Sequence, residues 1–465
     1  MNDLAQTLST RDVSDTESDT ESDTASESFD VAIIGGGGAA EALVAALESS
    51  GRRVLVVEQN RVGGDCPFVA CMPSKAMLHD AEVSTSWRRA VLRRDEIVDH
   101  LDDRQHADQV EREATRLVRG HAQLIDEHTI DVDGSIYRTD HLVLATGSAS
   151  VIPPIDGLGD LGEHRWTSDD ALTTDERPVR LMIIGGGPIG CELAHLFAGF
   201  DTEVHLIDEA DRAFPDLPEG IGHIVDDGLR SAGVRVYRGR SAVRFEHRGG
   251  NVKITLDNDA AVVTDRVLVA TGRAPDLAGI GIETLGLDPT APLPVDDAGR
   301  VDCPGSVWAI GDVAGKGQYT HLANHQAEVV ADHLVGEGKR RFDDVVVPAC
   351  IFTRPPVMIV GPTPADLVAR GADVIWVQAK LSEIARWTTD ALGDGVLTIA
   401  VDRTTRCVVA AHGVGARFDE LAAALITAID GRVTVDRLAM SMWPFPTVGD
   451  ILGPIYRRAL DALDE

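Results

Sequence analysis

Long apolar runs are missing from this sequence. No stretch approaches the roughly 18–20 residues needed to span a bilayer. No basic segment leads into an apolar one near the start, so no secretory signal is expected. The expectation is a cytoplasmic protein with no membrane partner. Positive charge is also in short supply: 43 Lys and Arg stand against 75 Asp and Glu, for a net charge of −32. That balance argues against nucleic acid or an anionic membrane as a partner. Lysine in particular is rare. Cysteine is scarce, with six residues at 66, 71, 191, 303, 350 and 407, and a reducing compartment makes a disulfide framework a poor reading of them.

Part of the acidity is local. Over residues 1–28 the run SDTESDTESDTASES has no apolar period, and eight acids against Arg11 account for −7 of the net charge. This composition predicts a disordered, solvating tail. The remaining chain is ordinary in texture. With 465 residues, 44% hydrophobic and 45 glycines, it predicts an α/β protein of two to four domains.

What the chain does have is a pattern stated twice. Phe29-Asp30-Val31-Ala32-Ile33-Ile34 runs into Gly35-Gly36-Gly37-Gly38-Ala39-Ala40, followed by an alanine-rich helical stretch from Glu41 to Ser50 and the apolar run Arg53–Glu58. About 150 residues later Arg180–Ile184 leads into Gly185-Gly186-Gly187-Pro188-Ile189-Gly190, a helical stretch from Cys191 to Gly199, and Glu203–Asp208. Strand, glycine turn, helix and a second strand ending in an acid make a dinucleotide-binding unit. The fingerprints are Gly35, Gly37, Ala40 with Glu58, and Gly185, Gly187, Gly190 with Asp208. Each unit is followed by an apolar strand ending in Ala-Thr-Gly, at Thr146-Gly147 and Thr271-Gly272. Two such folds imply two dinucleotides, most simply FAD and a nicotinamide. An acid at the end of the second strand binds ribose hydroxyls and repels a 2′-phosphate, so Asp208-Glu209 favours NADH over NADPH, with Arg212 near enough to complicate the preference.

Between Asp80 and Gly120 the chain reads as one or two charged, solvent-facing helices. The last 120 or so residues carry short β-like runs (Val345–Val347, Val357–Val360, Val374–Val377, Gly395–Val401, Cys407–His412) and helical segments at Phe418–Ile429 and Pro454–Leu463. They form an α+β domain without a nucleotide fingerprint.

The stretch GGDCPFVACMPSK, Gly63 to Lys75, puts Cys66 and Cys71 close together. A zinc site needs four ligands, and only His79 is near, so no metal is expected. Buried small residues are the bland alternative. The surroundings favour a redox pair: a helix beginning at Pro73 would lower a nearby thiol pKa through its N-terminus, and Lys75 adds a cation.

The order of parts resembles the FAD-dependent pyridine nucleotide–disulfide oxidoreductases, a family that includes dihydrolipoamide dehydrogenase, glutathione reductase and mercuric reductase. GGDCPFVACMPSK is similar to the family's GGTCxNxGCxPSK. Val307-Trp308-Ala309-Ile310-Gly311-Asp312-Val313 is similar to its second FAD motif, and Val347–Pro355 to the opening of its dimerisation domain. The resemblance implies two Rossmann-like domains, for FAD and NAD, plus a terminal α+β dimerisation domain. The division would be a tail over 1–28, FAD-binding over 29–150, NAD(P)-binding over 151–285, a second FAD-binding or central part over 286–342, and dimerisation over 343–465. It further implies Cys71 as the flavin-facing cysteine, Cys66 as the interchange cysteine, and a Lys75–Glu192 ion pair near the flavin. Gly64, Ala122, Gly147, Gly272, Gly311, Asp312 and Thr320 are implied cofactor neighbours, with His321 beside Thr320. The product would be a homodimeric flavoenzyme of cell redox homeostasis, passing electrons from NADH to a small-molecule acceptor.

The resemblance breaks at one place. Disulfide-reducing members carry H-P-T-x-x-E near the C-terminus, and here Phe445 stands for the histidine and Asp450 for the glutamate in WPFPTVGD. The general base is missing, and so is the cysteine pair that mercuric reductases add, because no cysteine follows Cys407. Pro67, Phe68, Trp443 and Phe445 suggest an apolar wall for a flat acceptor. The acceptor is then an unusual disulfide or, alternatively, a quinone or other non-disulfide oxidant. A cofactor-binding protein without turnover is a third reading, disfavoured by the intact pair, Lys75 and Glu192. Cys191, Cys303, Cys350 and Cys407 are expected to pack as small apolar residues, and His412 to be structural.

Overall fold

The computed structural model describes residues 27–465. The acidic tail lies outside the described residues except for Glu27 and Ser28. These two begin the first strand, Glu27–Ile34, where Glu27 pairs with Arg53 at 3.1 Å and with Arg116.

The first nucleotide fold is a sheet ordered 116–119, 54–58, 27–34, 135–144, 129–132, 122–126. Strands 27–34, 54–58, 116–119 and 135–144 run parallel, and 122–144 is an antiparallel meander. Val307–Ala309 adds a further parallel strand against 142–144. Val31 to Ile34 and all of Val54–Glu58 are buried, as strands covered on both faces must be. The covering helices are Gly38–Leu47 and Thr320–Val335, which share one core.

The second fold repeats the plan in the order 235–238, 203–208, 180–184, 266–269, 165–166, all parallel. Its helix, Pro188–Gly199, starts three residues earlier than the sequence suggests, with Pro188 in the first turn where its missing N–H costs nothing. An antiparallel three-stranded sheet over 242–264 is appended. A two-stranded ribbon, Ser148–Ser150 with Arg273–Pro275, joins the ends of the two Ala-Thr-Gly strands.

The charged region contains two helices, Trp87–Ile97 and Arg104–Glu113. The last domain is an antiparallel sheet ordered 348–351, 357–360, 408–414, 396–402, 374–380, covered by helices Phe418–Asp430 and Leu452–Asp464. Its first strand is Pro348–Ile351 rather than Val345–Val347. His412 is fully buried in it, and Cys191 and Cys407 are buried while Cys303 and Cys350 are half-buried. No helix among the described residues is long and apolar enough to cross a membrane.

Candidate active site

Both glycine loops open into one cavity of about 1840 Å³. That exceeds the roughly 300–1,000 Å³ of a pocket for one drug-sized ligand. The four chemically active candidates, Cys66, Cys71, Lys75 and Glu192, line it, together with every named cofactor neighbour except Ala40 and Gly190. Those two are the third positions of the fingerprints. Both are buried, and their work is to let the helix pack against the strand.

Each loop is held by the acid at the end of its second strand. Gly36 N–H donates to Glu58 Oε2 at 2.5 Å, and Asn60 N–H to Glu58 Oε1 at 2.6 Å. In the second fold Gly186 N–H donates to Asp208 Oδ2, and Ala210 N–H to Asp208 Oδ1 at 2.7 Å. Gly35 has φ +102°, and a Cβ there would lie 2.3 Å from Ala145 O. Only glycine fits that turn. A Cβ on Gly64 would lie 3.0 Å from Gly37 Cα, so the cysteine-bearing segment presses directly on the first loop.

The cysteine segment differs from the expected single helix. Cys66 sits in a short helix, Asp65–Phe68, and Cys71, not Pro73, opens the next, Cys71–Glu82. Cys71 is thus itself at a helix N-terminus. The two sulfurs are unbonded and hydrogen-bonded to each other. Against the opposing effect of burial, the Cys66 hydrogen bond, then the Lys75 ammonium and the Thr320 hydroxyl, bring Cys71 down to about 6. The same hydrogen bond, followed by burial, pushes Cys66 up. The pair is therefore polarised, with the thiolate on Cys71 and the proton on Cys66. Thr320 Oγ1 donates to Cys66 Sγ at 3.2 Å.

Lys75 Nζ and Glu192 Oε2 are 2.7 Å apart, and Glu192 Oε1 accepts the Phe352 N–H at 2.9 Å. Lys75 also lies 4.9 Å from the Phe352 ring centroid, a cation–π contact. Phe352 was not anticipated; its role is carried by a backbone N–H, which has no sequence signature. Arg273, just after the second Ala-Thr-Gly, was also missed. It pairs with Asp65 at 2.7 Å, donates to Ser148 Oγ at 2.8 Å, and Ser148 Oγ donates to Asp312 Oδ2 at 2.6 Å. Burial raises the Asp312 carboxyl against these hydrogen-bonded and cationic neighbours. His321 also lines the cavity; its Nε2 donates to Pro348 O at 2.8 Å, and its ring stacks on Tyr319.

Within a single chain Phe68, Trp443 and Phe445 do not line the cavity. Phe68 is buried with Val69 and Val98 and meets His106 edge-on at 5.4 Å. Its side of the short helix faces the protein interior. Trp443 packs 5.9 Å from Tyr456, and Phe445 is 72% exposed; neither lines the cavity. Arg212 is not the arginine beside Asp208. It donates to Pro215 O at 2.7 Å, and the guanidinium near Asp208 is that of Arg238, at 3.7 Å.

Comparison with known proteins agrees with this architecture. Residues 29–327 match the family described as pyridine nucleotide-disulphide oxidoreductase, and residues 347–453 match its dimerisation domain. Dihydrolipoyl dehydrogenase of Pseudomonas aeruginosa is 31% identical over 454 residues, covering 92% of this chain and 97% of its own. Mercuric reductase of Staphylococcus aureus is 29% identical over 443 residues, covering 91% and 81%. The solved structure of the HOCl-induced flavoprotein disulfide reductase RclA from Escherichia coli, a copper(II) complex, has a TM-score of 0.84 at 28% identity, over 93% of this chain and 99% of its own. With the fold, the family match and these relatives in agreement, the chain belongs to the pyridine nucleotide–disulphide oxidoreductase family.

Proposed function

We propose that this protein is an FAD-dependent, NADH-preferring oxidoreductase that passes electrons through the Cys66–Cys71 pair to a small acceptor. The observation that carries the reading is the placement of the Cys66–Cys71 pair, with the Lys75–Glu192 ion pair and the Thr320 hydroxyl beside it, in the cavity that both glycine loops share. Three features fit FAD in the first fold: the Gly37–Gly64 cradle that a Cβ would fill, the buried Thr146 hydroxyl with no protein partner, and Asp312 in the cavity wall. FAD, when bound, supplies two-electron chemistry between a nicotinamide and the cysteines.

The residues then divide the work. Cys71, at a helix N-terminus and beside Lys75, holds negative charge. Cys66 gives its proton to Cys71 across their hydrogen bond. Its thiolate attacks one sulfur of an acceptor disulfide and expels the other as a thiolate. The expelled thiolate takes the proton of Cys71, whose thiolate then attacks Cys66, re-forms the Cys66–Cys71 disulfide and releases the second acceptor sulfur as a thiolate. Among the described residues the Cys66 sulfur has only Cys71 and Thr320 as polar contacts. With Phe445 in the expected place of the histidine, acceptors whose thiols leave without a proton are favoured. Asp208, gripping two backbone N–H groups, supports NADH over NADPH. The dimerisation-domain match, with Met440, Phe445 and 98%-exposed Met442 bare on the last domain, supports a homodimer.

A second reading takes a quinone or another non-disulfide oxidant as acceptor, on the observation that Phe445 occupies the expected place of the base. The copper(II) complex of the E. coli relative adds metal ions to the acceptors worth assaying. The test is to add NADH anaerobically to the oxidised, FAD-loaded protein, alkylate, and count modified cysteines by mass spectrometry. Both Cys66 and Cys71 become alkylated if the relay operates; if they stay protected, it does not. Cys66→Ser then separates the acceptors: disulfide turnover is lost, and quinone turnover persists only under the second reading. Phe445→His is expected to raise turnover of alkyl disulfides by about 10²-fold, the lower range of general acid–base help; no gain would mean that the base is not limiting.

A further inference from the structure

Arg238 ends the strand Arg235–Arg238 and stands directly opposite Asp208 in the parallel register. Its side chain is 7% exposed. Nε and Nη2 donate to Asp226 Oδ1 at 3.0 and 2.8 Å. Nη1 lies 3.7 Å from Asp208 Oδ2 and 3.5 Å from Gly186 O. Nη2 is 4.0 Å from the sulfur of Cys191, in the first turn of the helix Pro188–Gly199. A Cβ on Gly186 would fall 2.0 Å from Nη1. The guanidinium is therefore lodged immediately beneath the second glycine loop, and a side chain at residue 186 would displace it.

A buried guanidinium is costly unless it is paired and hydrogen-bonded. Asp226 meets that need from the helix Glu219–Ser231, while also accepting the Ala213 N–H at 3.3 Å. Burial is the largest single effect on Arg238 and works against its charge, but the Asp226 hydrogen bond and the nearby negative charges of Asp226 and Asp208 together raise it. Arg238 gives its hydrogen bonds to Asp226 and meets Asp208 only at 3.7 Å, while the two oxygens of Asp208 hold the N–H groups of Gly186 and Ala210. Two carboxylates and one guanidinium make a cluster of net −1 behind a loop that would receive a pyrophosphate, with Asp208 placed for the ribose.

We propose that Arg238 is a positioning residue of the second nucleotide site, and that Asp226, by taking the hydrogen bonds of Arg238 and leaving Asp208 only the longer ion pair, makes that site discriminate against a 2′-phosphate. The inference rests on reading the second fold as the nicotinamide site. Removing the Asp226 charge would let Arg238 turn to Asp208 and neutralise the group that repels NADP. Removing Arg238 would leave two carboxylates facing each other under an anion site.

The test uses FAD-loaded enzyme and calorimetric titration with NAD+ and NADP+, which requires no turnover. Asp226→Asn keeps the acceptor for Ala213 and should shift the ratio of the two dissociation constants toward NADP+ by about tenfold. Arg238→Gln should weaken NAD+ by about tenfold or more with kcat at saturation little changed, and Arg238→Lys should restore part of the loss. A ratio unchanged within about twofold in Asp226→Asn, or moved toward NAD+, overturns the proposal even if Arg238→Gln fails to fold. If the wild type binds neither nucleotide, the nicotinamide reading of the second fold falls and this inference with it. If the wild type binds NAD+ and both variants behave like it, only the inference falls.

Discussion

In the first nucleotide fold Gly35 N–H donates to Val57 O at 2.8 Å, and Ala145 N–H to Ile34 O at 2.8 Å; in the second, Gly185 donates to Ile207 O at 2.9 Å and Ala270 to Ile184 O at 2.8 Å. A Cβ on Gly35 or on Gly185 would meet the same carbonyl of the returning strand at 2.3 Å. These distances repeat to within 0.1 Å, as the tight turn demands. The side chains do not repeat. Glu58 reaches the first loop with its own methylenes under Gly36, while Asp208, one methylene shorter, shares that space with Arg238. The third fingerprint position is Ala40 in one fold and Gly190 in the other, where a Cβ would lie 1.9 Å from Gly185 O. Two loops with one backbone plan can thus carry different ligand preferences, because the layer of side chains behind the loop differs.

The largest break in this likeness should come at the third position. Gly190→Ala forces the helix away from its loop, and nicotinamide turnover should fall by about 10²-fold, the scale of an ångström's misplacement. Ala40→Gly removes a methyl and should cost only about 1 kcal/mol of stability, the helix penalty for glycine. Steady-state kinetics and thermal melts distinguish the two; equal effects would mean that the folds are not closed differently.

Neutralising the loop acids comes next. Glu58→Gln should speed FAD loss on dialysis without altering NAD+ affinity, and Asp208→Asn should do the reverse, each by about tenfold, from one charged hydrogen bond of about 1.5–3 kcal/mol. Crossed effects would sink the assignment of one dinucleotide to each fold.

A pH-dependent effect separates the two helices. His195 is buried in Pro188–Gly199 with Nδ1 3.1 Å from Cys191 O, and burial lowers it to about 4. The helix Gly38–Leu47 has no histidine. An unfolded histidine takes up a proton below about pH 6.5, whereas this one, folded, stays neutral until about 4. Its contribution is therefore present above pH 6.5 and lost as pH falls from 6.5 to about 4, to a limit of about 3 kcal/mol. Hydrogen exchange at pH 7 and pH 4.5 should show the second helix losing protection ahead of the first. Parallel loss would mean that His195 does not titrate alone.

How much of this was legible follows from how far apart the participants lie in the chain. Each fingerprint is contiguous, so strand, turn, helix and acid could be read together. Lys75 and Glu192 came from resemblance, and the structure brings them to 2.7 Å. Thr320 on Cys66, separated by 254 residues, and Arg273 on Asp65, by 208, depend on how the domains close on one another. Arg238 depends on sheet order. Arg212 is closer to Asp208 in sequence, yet the parallel register sets Arg238 opposite it. A reading that paired Arg235–Arg238 as the next parallel strand would have found it. Phe68 was misplaced because its neighbours form a short helix of their own, which turns its ring inward.

Glu192 is rooted in the second nucleotide fold, binds a lysine of the first, and accepts a backbone N–H at residue 352, where the last domain begins. One carboxylate therefore sits at the seam of three separately encoded pieces. For anyone recombining domains between relatives, this limits where a chimera can be cut. Because the third partner is a main-chain N–H, replacing Phe352 would remove the ring over Lys75 but leave that bond to Glu192, whereas the register of the segment that carries it cannot change. A junction that adds or deletes a single residue between the central helix and Pro348 would slide that N–H away from Glu192, and would disturb the lysine beside the cysteines without altering a single side chain in the site.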